Sequence, residues 1–178
     1  DPTNITDYNR SDEALEEFIL FCIAVAGKTA TIVARQLQVL LDNSAGIGPF
    51  DKIRRMNCVQ LLVALKKSKI GKYHLLCEAY QQIVNVNLKT CTVNDLEKIH
   101  GIGPKTARYF LLHSRQGIQV APLDTHALKF LKSQGYNVPD HTPTGKKYKQ
   151  LEQMYIIEAQ KRNKSIAEFD LSVWNYYS

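Results

Sequence analysis

The sequence predicts an all-α protein, and three observations carry that expectation. Apolar residues recur at intervals of three and four along most of the 178 residues. No two segments show the alternation of apolar and polar residues that paired strands need. Gly, Pro and short polar residues fall between the periodic stretches, where they end one helix or start the next. About ten helices with short connections are expected. A chain of this length suits one compact domain or two small lobes sharing a cleft.

The elements follow in order. From Asp12, apolar positions at Leu15, Phe18, Ile19, Cys22, Ile23 and Ala26 form a buried stripe, and Gly27 stops or kinks it. Thr29 to Leu41 resumes with Ile32, Val33, Leu37, Leu40 and Leu41, before the turn "DNSAGIGPF". Short helices are expected over Phe50 to Met56 and Val59 to Lys66. A basic turn, "KSKIGKY", leads into a helix from about Lys72 to Val84. "Thr92-Val-Asn-Asp95" has the form of a capping box and opens a helix through Ile99. Pro104 suits the first position of the next helix, to Ser114. After the extended "QGIQVAPL", Asp124 caps a helix to about Gln134. Lys146 to Arg162 is a long helix carrying Tyr148, Leu151, Tyr155 and Ile156, and "Ser165-Ile-Ala-Glu168" caps a last one ending near Tyr177.

Composition narrows the function. The net charge is +6, and acids outnumber the single base, Arg10, over the first 20 residues, so the remainder is more basic than the total suggests. That favours a polyanionic partner, nucleic acid first. The longest apolar run, "FILFCIAVA", is far short of the ~20 residues a bilayer span needs and follows acidic residues, which excludes a membrane span and a signal peptide. A soluble, intracellular protein is expected. The four cysteines (Cys22, Cys58, Cys77, Cys91) show no C-x-x-C spacing, which argues against zinc or iron–sulfur ligation and for reduced thiols. No metal ligands are assigned.

The sequence Gly-Ile-Gly-Pro occurs twice, in "SAGIGPFDKI" and in "KIHGIGPKTARYF". In the second copy, Gly101 and Gly103 remove side chains that would hold a ligand off the backbone. Pro104 presets a helix start whose first-turn N–H groups face outward with the helix dipole behind them. Such a turn binds phosphate. A tight helix connection with a C-cap glycine has the same letters.

The stretch "LEKIHGIGPKTARYFLLHS" resembles the helix–hairpin–helix DNA-binding motif, with an apolar face at Ala107, Phe110 and Leu111. Nineteen residues after Lys105, "VAPLDTHALKFL" places Asp124 at a helix start. Together the two segments resemble the helix–hairpin–helix DNA glycosylase superfamily, the endonuclease III and 8-oxoguanine glycosylase relatives. Lys105 falls on the lysine of "G-x-G-x-K-T-A" and Asp124 on the aspartate of "V-x-V-D-T-H". The likeness extends to Phe18–Leu37, Lys69–Ile83 and the closing "FDLSVWNYY", whose Trp174 is expected in the core. The resemblance implies one domain over residues 1–178, an all-α two-lobed helical bundle with the active-site cleft between the lobes. The lobes would comprise roughly residues 28–122, with the hairpin at 92–114, and residues 1–27 plus 123–178.

The implied activity is a DNA glycosylase acting as a monomer on double-stranded DNA with a damaged or modified base. It would flip the nucleotide, break the N-glycosidic bond and nick the strand by an AP lyase step. Lys105 would form the Schiff base, and Asp124 would stabilise charge on the sugar. His100, Gly101, Ile102, Gly103 and Thr106 would hold the DNA backbone, and Lys28, Thr29 and His126 are candidates for the base pocket or strand wedge. His113 is a further neighbour. Lys66, Lys67, Lys69 and Lys72 beside Tyr73 form either a phosphate-binding patch or a solvated face.

No organic cofactor is implied, and a monovalent cation at the hairpin is the one inorganic ligand the resemblance allows. The cysteine cluster of the endonuclease III relatives is absent, so no iron–sulfur cluster is expected. Ile23 falls near the catalytic glutamate of the adenine-excising branch, and Ala26 to Thr29 replaces its Gln-Gln-Thr, which disfavours acid catalysis from that helix. Two alternatives stay open. One is a protein of phage-type thymine hypermodification, performing group transfer at a base. The other is a non-catalytic DNA-binding module, against which the aspartate argues.

Overall fold

The computed structural model describes residues 5–42 and 46–177. The described residues form ten α-helices and no strand, as the periodicity predicted. Asn43, Ser44 and Ala45 of the first expected turn lie outside the described residues. The chain divides into two compact units. Residues 9–42 and 46–103 make the first, and residues 5–8 with 104–177 make the second.

The first unit holds α1 (Asp12–Val25), α2 (Ala30–Leu41), α3 (Pro49–Arg54), α4 (Cys58–Ser68), α5 (Tyr73–Ile83) and α6 (Val93–Glu97). Ser11 starts α1, its hydroxyl accepting from the Ala14 N–H at 3.2 Å. The predicted stripe at Leu15, Phe18, Ile19, Cys22 and Ile23 is buried, and α1 packs on α2, α3 and α5. The α5 residue Tyr80 is wholly buried and donates its hydroxyl to the Leu20 carbonyl of α1 at 2.9 Å. Ile32 departs from expectation: it is 54% exposed, because the buried face of α2 runs through Val33, Leu37, Leu40 and Leu41 and Ile32 lies about 100° off it. Thr92 and Asp95 form the predicted capping box at α6, which is shorter than expected.

The second unit holds α7 (Pro104–Ser114), α8 (Thr125–Ser133), α9 (Gly145–Lys161) and α10 (Ile166–Tyr177). Its core is aromatic, with Phe130 of α8 and Tyr155 of α9 against Phe169 of α10 at centroid distances of 5.2 and 4.9 Å. Ser165 and Glu168 cap α10 reciprocally.

The units part at Gly103–Pro104, whereas the expected lobes parted near residues 27 and 122. The buried stripe of α1 accounts for the first difference, since it is shared with α2, α3 and α5. The second follows from α7, which packs on α10. No described helix is long and apolar enough to cross a membrane.

Candidate functional site

The second Gly-Ile-Gly-Pro turn joins α6 to α7. Gly101 has φ +92°, and a Cβ there would lie 2.8 Å from Leu75 Cδ2, so both conformation and space demand glycine. The Ile102 side chain is buried, and its N–H donates to the Ile99 carbonyl at 3.0 Å. That amide is already used, so Ile102 anchors the turn and its N–H is not a ligand donor. Gly103 differs from Gly101: it is exposed, has no positive φ, and nothing lies within 4 Å of where its Cβ would be. Beyond Pro104, α7 itself leaves the Lys105 and Thr106 N–H groups without a partner inside the helix. The Thr106 side chain is buried, so only its backbone can face a ligand. His100 is exposed, with Nε2 3.8 Å from the Glu78 carboxylate.

The first copy of the turn is built on the same corner but closed. The Phe50 N–H, in the first turn of α3, donates to Glu16 Oε2 of α1 at 2.9 Å. The protein's own carboxylate therefore occupies the anion position of that helix start. Burial, as the larger effect, raises the Glu16 carboxyl above its ordinary value, and this bond pulls it back. In the second copy the residue matching Phe50 is Lys105, which brings a cation to the same helix position.

Lys105 is half-buried on the first turn of α7, with Nζ 5.1 Å from the Tyr109 ring centroid. Among the described residues, no carboxylate pairs with it. Asp124 is half-buried and caps α8, Oδ1 accepting from the Ala127 N–H at 2.8 Å, while Oδ2 takes no part in the cap. Both residues belong to the second unit.

The strap before Asp124 is held by side chains that sequence reading missed. Tyr148 of α9 accepts from the Leu123 N–H at 2.8 Å and donates to the Ala121 carbonyl at 3.0 Å. Glu152 Oε1 accepts from the Ala121 N–H at 3.0 Å and from Arg108 Nε at 2.7 Å. Arg108 of α7 also stacks on the Tyr148 ring, 4.4 Å from its centroid. A buried arginine, tyrosine and glutamate thus tie α7 and α9 to the segment that ends in Asp124. The sequence signal was a charged residue, Arg108, one position after Ala107 on the apolar side of a helix.

Beneath lies a second polar group. Asp170 of α10 is buried, accepts from the Tyr155 hydroxyl at 3.1 Å, and sits 3.4 Å from His113 Nε2. Burial raises its carboxyl, His113 lowers it, and the Asp124 charge raises it further. His113 is fully buried, with Nδ1 2.7 Å from Thr6 Oγ1, so it pins the N-terminal segment and is no site-lining neighbour. His126 is half-buried, its Nδ1 buried without a hydrogen-bond partner. Its ring meets Trp174 edge-on at 6.2 Å. Trp174, expected in the core, is only half-buried.

Lys28 and Thr29 lie in the first unit. Lys28 Nζ donates to the Ile70 carbonyl, and burial, followed by the Lys72 ammonium, lowers its amine below the ordinary lysine value. Thr29 is the N-cap of α2 without a side-chain capping bond. Lys66, Lys67, Lys69 and Lys72 are exposed, although Lys72 Nζ also donates to the Ala26 carbonyl. Among the described residues no group of His, Cys, Asp and Glu is arranged to hold a metal ion.

Residues 86–113 match the family model of the helix-hairpin-helix motif. Among solved structures, the fold matches Methanocaldococcus jannaschii 8-oxoguanine glycosylase/lyase in complex with a 15mer DNA containing 8-oxoguanine. The TM-score is 0.70 at 23% identity, covering 93% of this chain and 81% of that one. The chain therefore carries a helix–hairpin–helix motif within an all-helical glycosylase-type fold.

Proposed function

We propose that this protein is a DNA glycosylase that flips a damaged or modified base from duplex DNA, cleaves its N-glycosidic bond and nicks the strand through a Lys105 Schiff base. One observation supports this above the others: a lysine unpaired by any described carboxylate follows the open hairpin turn, in one compact unit with an aspartate held at a helix start. The fold it shares with a glycosylase/lyase agrees with that chemistry.

The hairpin would take the DNA backbone at Gly103 and the first amides of α7, with the helix dipole favouring phosphate. Asp124 Oδ2 would face the sugar and stabilise the positive charge that grows as the glycosidic bond breaks. Lysine is mostly protonated at neutral pH, with a reference value near ~10.4. The nucleophile therefore forms once the substrate engages Nζ and a base accepts its proton. Attack at C1′ expels the base, the sugar ring then opens at its C1′–O4′ bond to give an iminium, and β-elimination (loss of a C2′ proton and of the 3′ phosphate) breaks the strand. The aspartate argues against a purely DNA-binding role, since backbone contact has no need of it. His126, with a buried ring nitrogen lacking a partner, is the residue best disposed to contact an extruded base.

Borohydride trapping on duplexes carrying uracil, 8-oxoguanine, 5-hydroxymethyluracil or an abasic site tests the reading. A covalent adduct is expected with the wild type and none with Lys105→Gln. Absence of an adduct on every duplex, the abasic one included, would remove the Schiff-base step. Asp124→Asn should abolish base release while duplex affinity stays within about twofold; equal loss of both would make Asp124 structural.

A further inference from the structure

We propose that Cys58 and Cys77 form an oxidisable dithiol that closes to a disulfide between α4 and α5 of the first unit. Their Sγ atoms are 3.5 Å apart on two helices packed against each other. A disulfide needs about 2.05 Å between sulfurs, so an approach of roughly 1.5 Å closes it. The pair is separated by nineteen residues of sequence, and no spacing motif betrays it.

The two thiols are differentiated as attacking and resolving partners. Cys58 is exposed at the first position of α4, behind the Asn57 cap and with no acid in the first turn. Exposure makes Cys58 the thiol that a soluble disulfide reaches first. Cys77 is buried, its Sγ 3.7 Å from the Cys58 carbonyl oxygen. Burial, then the hydrogen bond with Cys58, pushes its thiol up to about 11. Cys22 and Cys91 are buried elsewhere in the unit.

The oxidant is a low-molecular-weight disulfide such as oxidised glutathione. The Cys58 thiolate attacks one of its sulfurs, the oxidant's S–S bond breaks, and one glutathione thiolate leaves. Cys77 then attacks Cys58 Sγ and displaces the second. Two protein thiols are oxidised to a disulfide, the oxidant is reduced to two thiols, and the two protein protons end on them.

Closure reaches the hairpin through α5. Leu75 and Ala79, two positions either side of Cys77, are the atoms against which Gly101 is packed, at 2.8 and 3.5 Å from its Cβ position. Moving α5 toward α4 disturbs the floor of that turn. The effect on DNA rests on the proposed role of the hairpin; formation of the disulfide does not.

The test equilibrates the full chain in glutathione buffers from reducing to oxidising, then alkylates and maps the thiols by mass spectrometry. The wild type should lose two thiols and yield a Cys58–Cys77 cross-linked peptide, reversed by dithiothreitol. Cys58→Ser should keep its three remaining thiols, and Cys77→Ala should stop at a glutathione adduct on Cys58. A wild type that keeps four thiols, or that holds the adduct without closing, overturns the proposal. Oxidised protein should bind duplex DNA several-fold more weakly than reduced protein, with no such change in Cys77→Ala. Equal affinities alongside a mapped cross-link would overturn the link to the hairpin alone.

Discussion

Two glycines of one turn stand in different surroundings, and substitution separates them. Gly101→Ala puts a methyl into Leu75 at a positive φ. The expected cost is about 1–3 kcal/mol of stability, read as a fall in Tm, with weaker duplex binding following from the disturbed turn. Gly103→Ala meets nothing within 4 Å. Its Tm should stay at the wild-type value while duplex affinity, measured by fluorescence anisotropy, falls because the methyl stands where a phosphate would approach. A Gly103→Ala protein with undiminished affinity would place the DNA contact elsewhere. Both glycines were legible in the sequence, but the difference in their surroundings was not, because it depends on Leu75 of a distant helix.

At the scale of elements, the strap from Ala121 to Asp124 is as much a product of α9 as of its own residues. Tyr148→Phe removes the partner of two buried backbone groups. A loss of about 1–3 kcal/mol is expected, with base release falling more than duplex affinity in single-turnover kinetics. Glu152→Gln leaves the Arg108 charge buried without its carboxylate and should cost about 3–5 kcal/mol in urea unfolding. The last turn of α9 carries a separate device. Lys161, then Arg162 and Tyr136, hold the Glu158 carboxyl down to about 2. A depressed folded value means this carboxylate contributes stability above its unfolded value near ~4.3. That contribution is lost as pH falls from there toward about 2. Glu158→Gln should flatten the decline of Tm across this window and lower Tm at neutral pH.

For the whole molecule, charge and fold point the same way. A net charge of +6 on a helix–hairpin–helix chain predicts duplex binding governed by counterion release. Affinity should therefore fall linearly with salt on logarithmic axes. Binding unchanged between ~50 and ~200 mM salt would contradict an interface built on phosphates. Sedimentation should find the chain monomeric with and without duplex.

The sequence alone determined the helices and the candidate pair. Helix periodicity and capping residues act over three or four positions, so α1 to α10 and the Asp124 cap could be read locally. Lys105 and Asp124 were read from the resemblance of their two segments to known motifs, Lys105 on the first turn of α7 and Asp124 at the cap of α8. Tertiary structure alone decided which of the two Gly-Ile-Gly-Pro turns is open. Glu16, thirty-four residues before Phe50, closes the first, and no local pattern encodes that bond. It also decided that Ile102 spends its amide inside the turn, that His113 and Asp170 are buried partners, and that Cys58 meets Cys77. The physical reason is the same each time: hydrogen bonds and thiol contacts depend on distance in space, and packing brings together residues that sequence holds far apart.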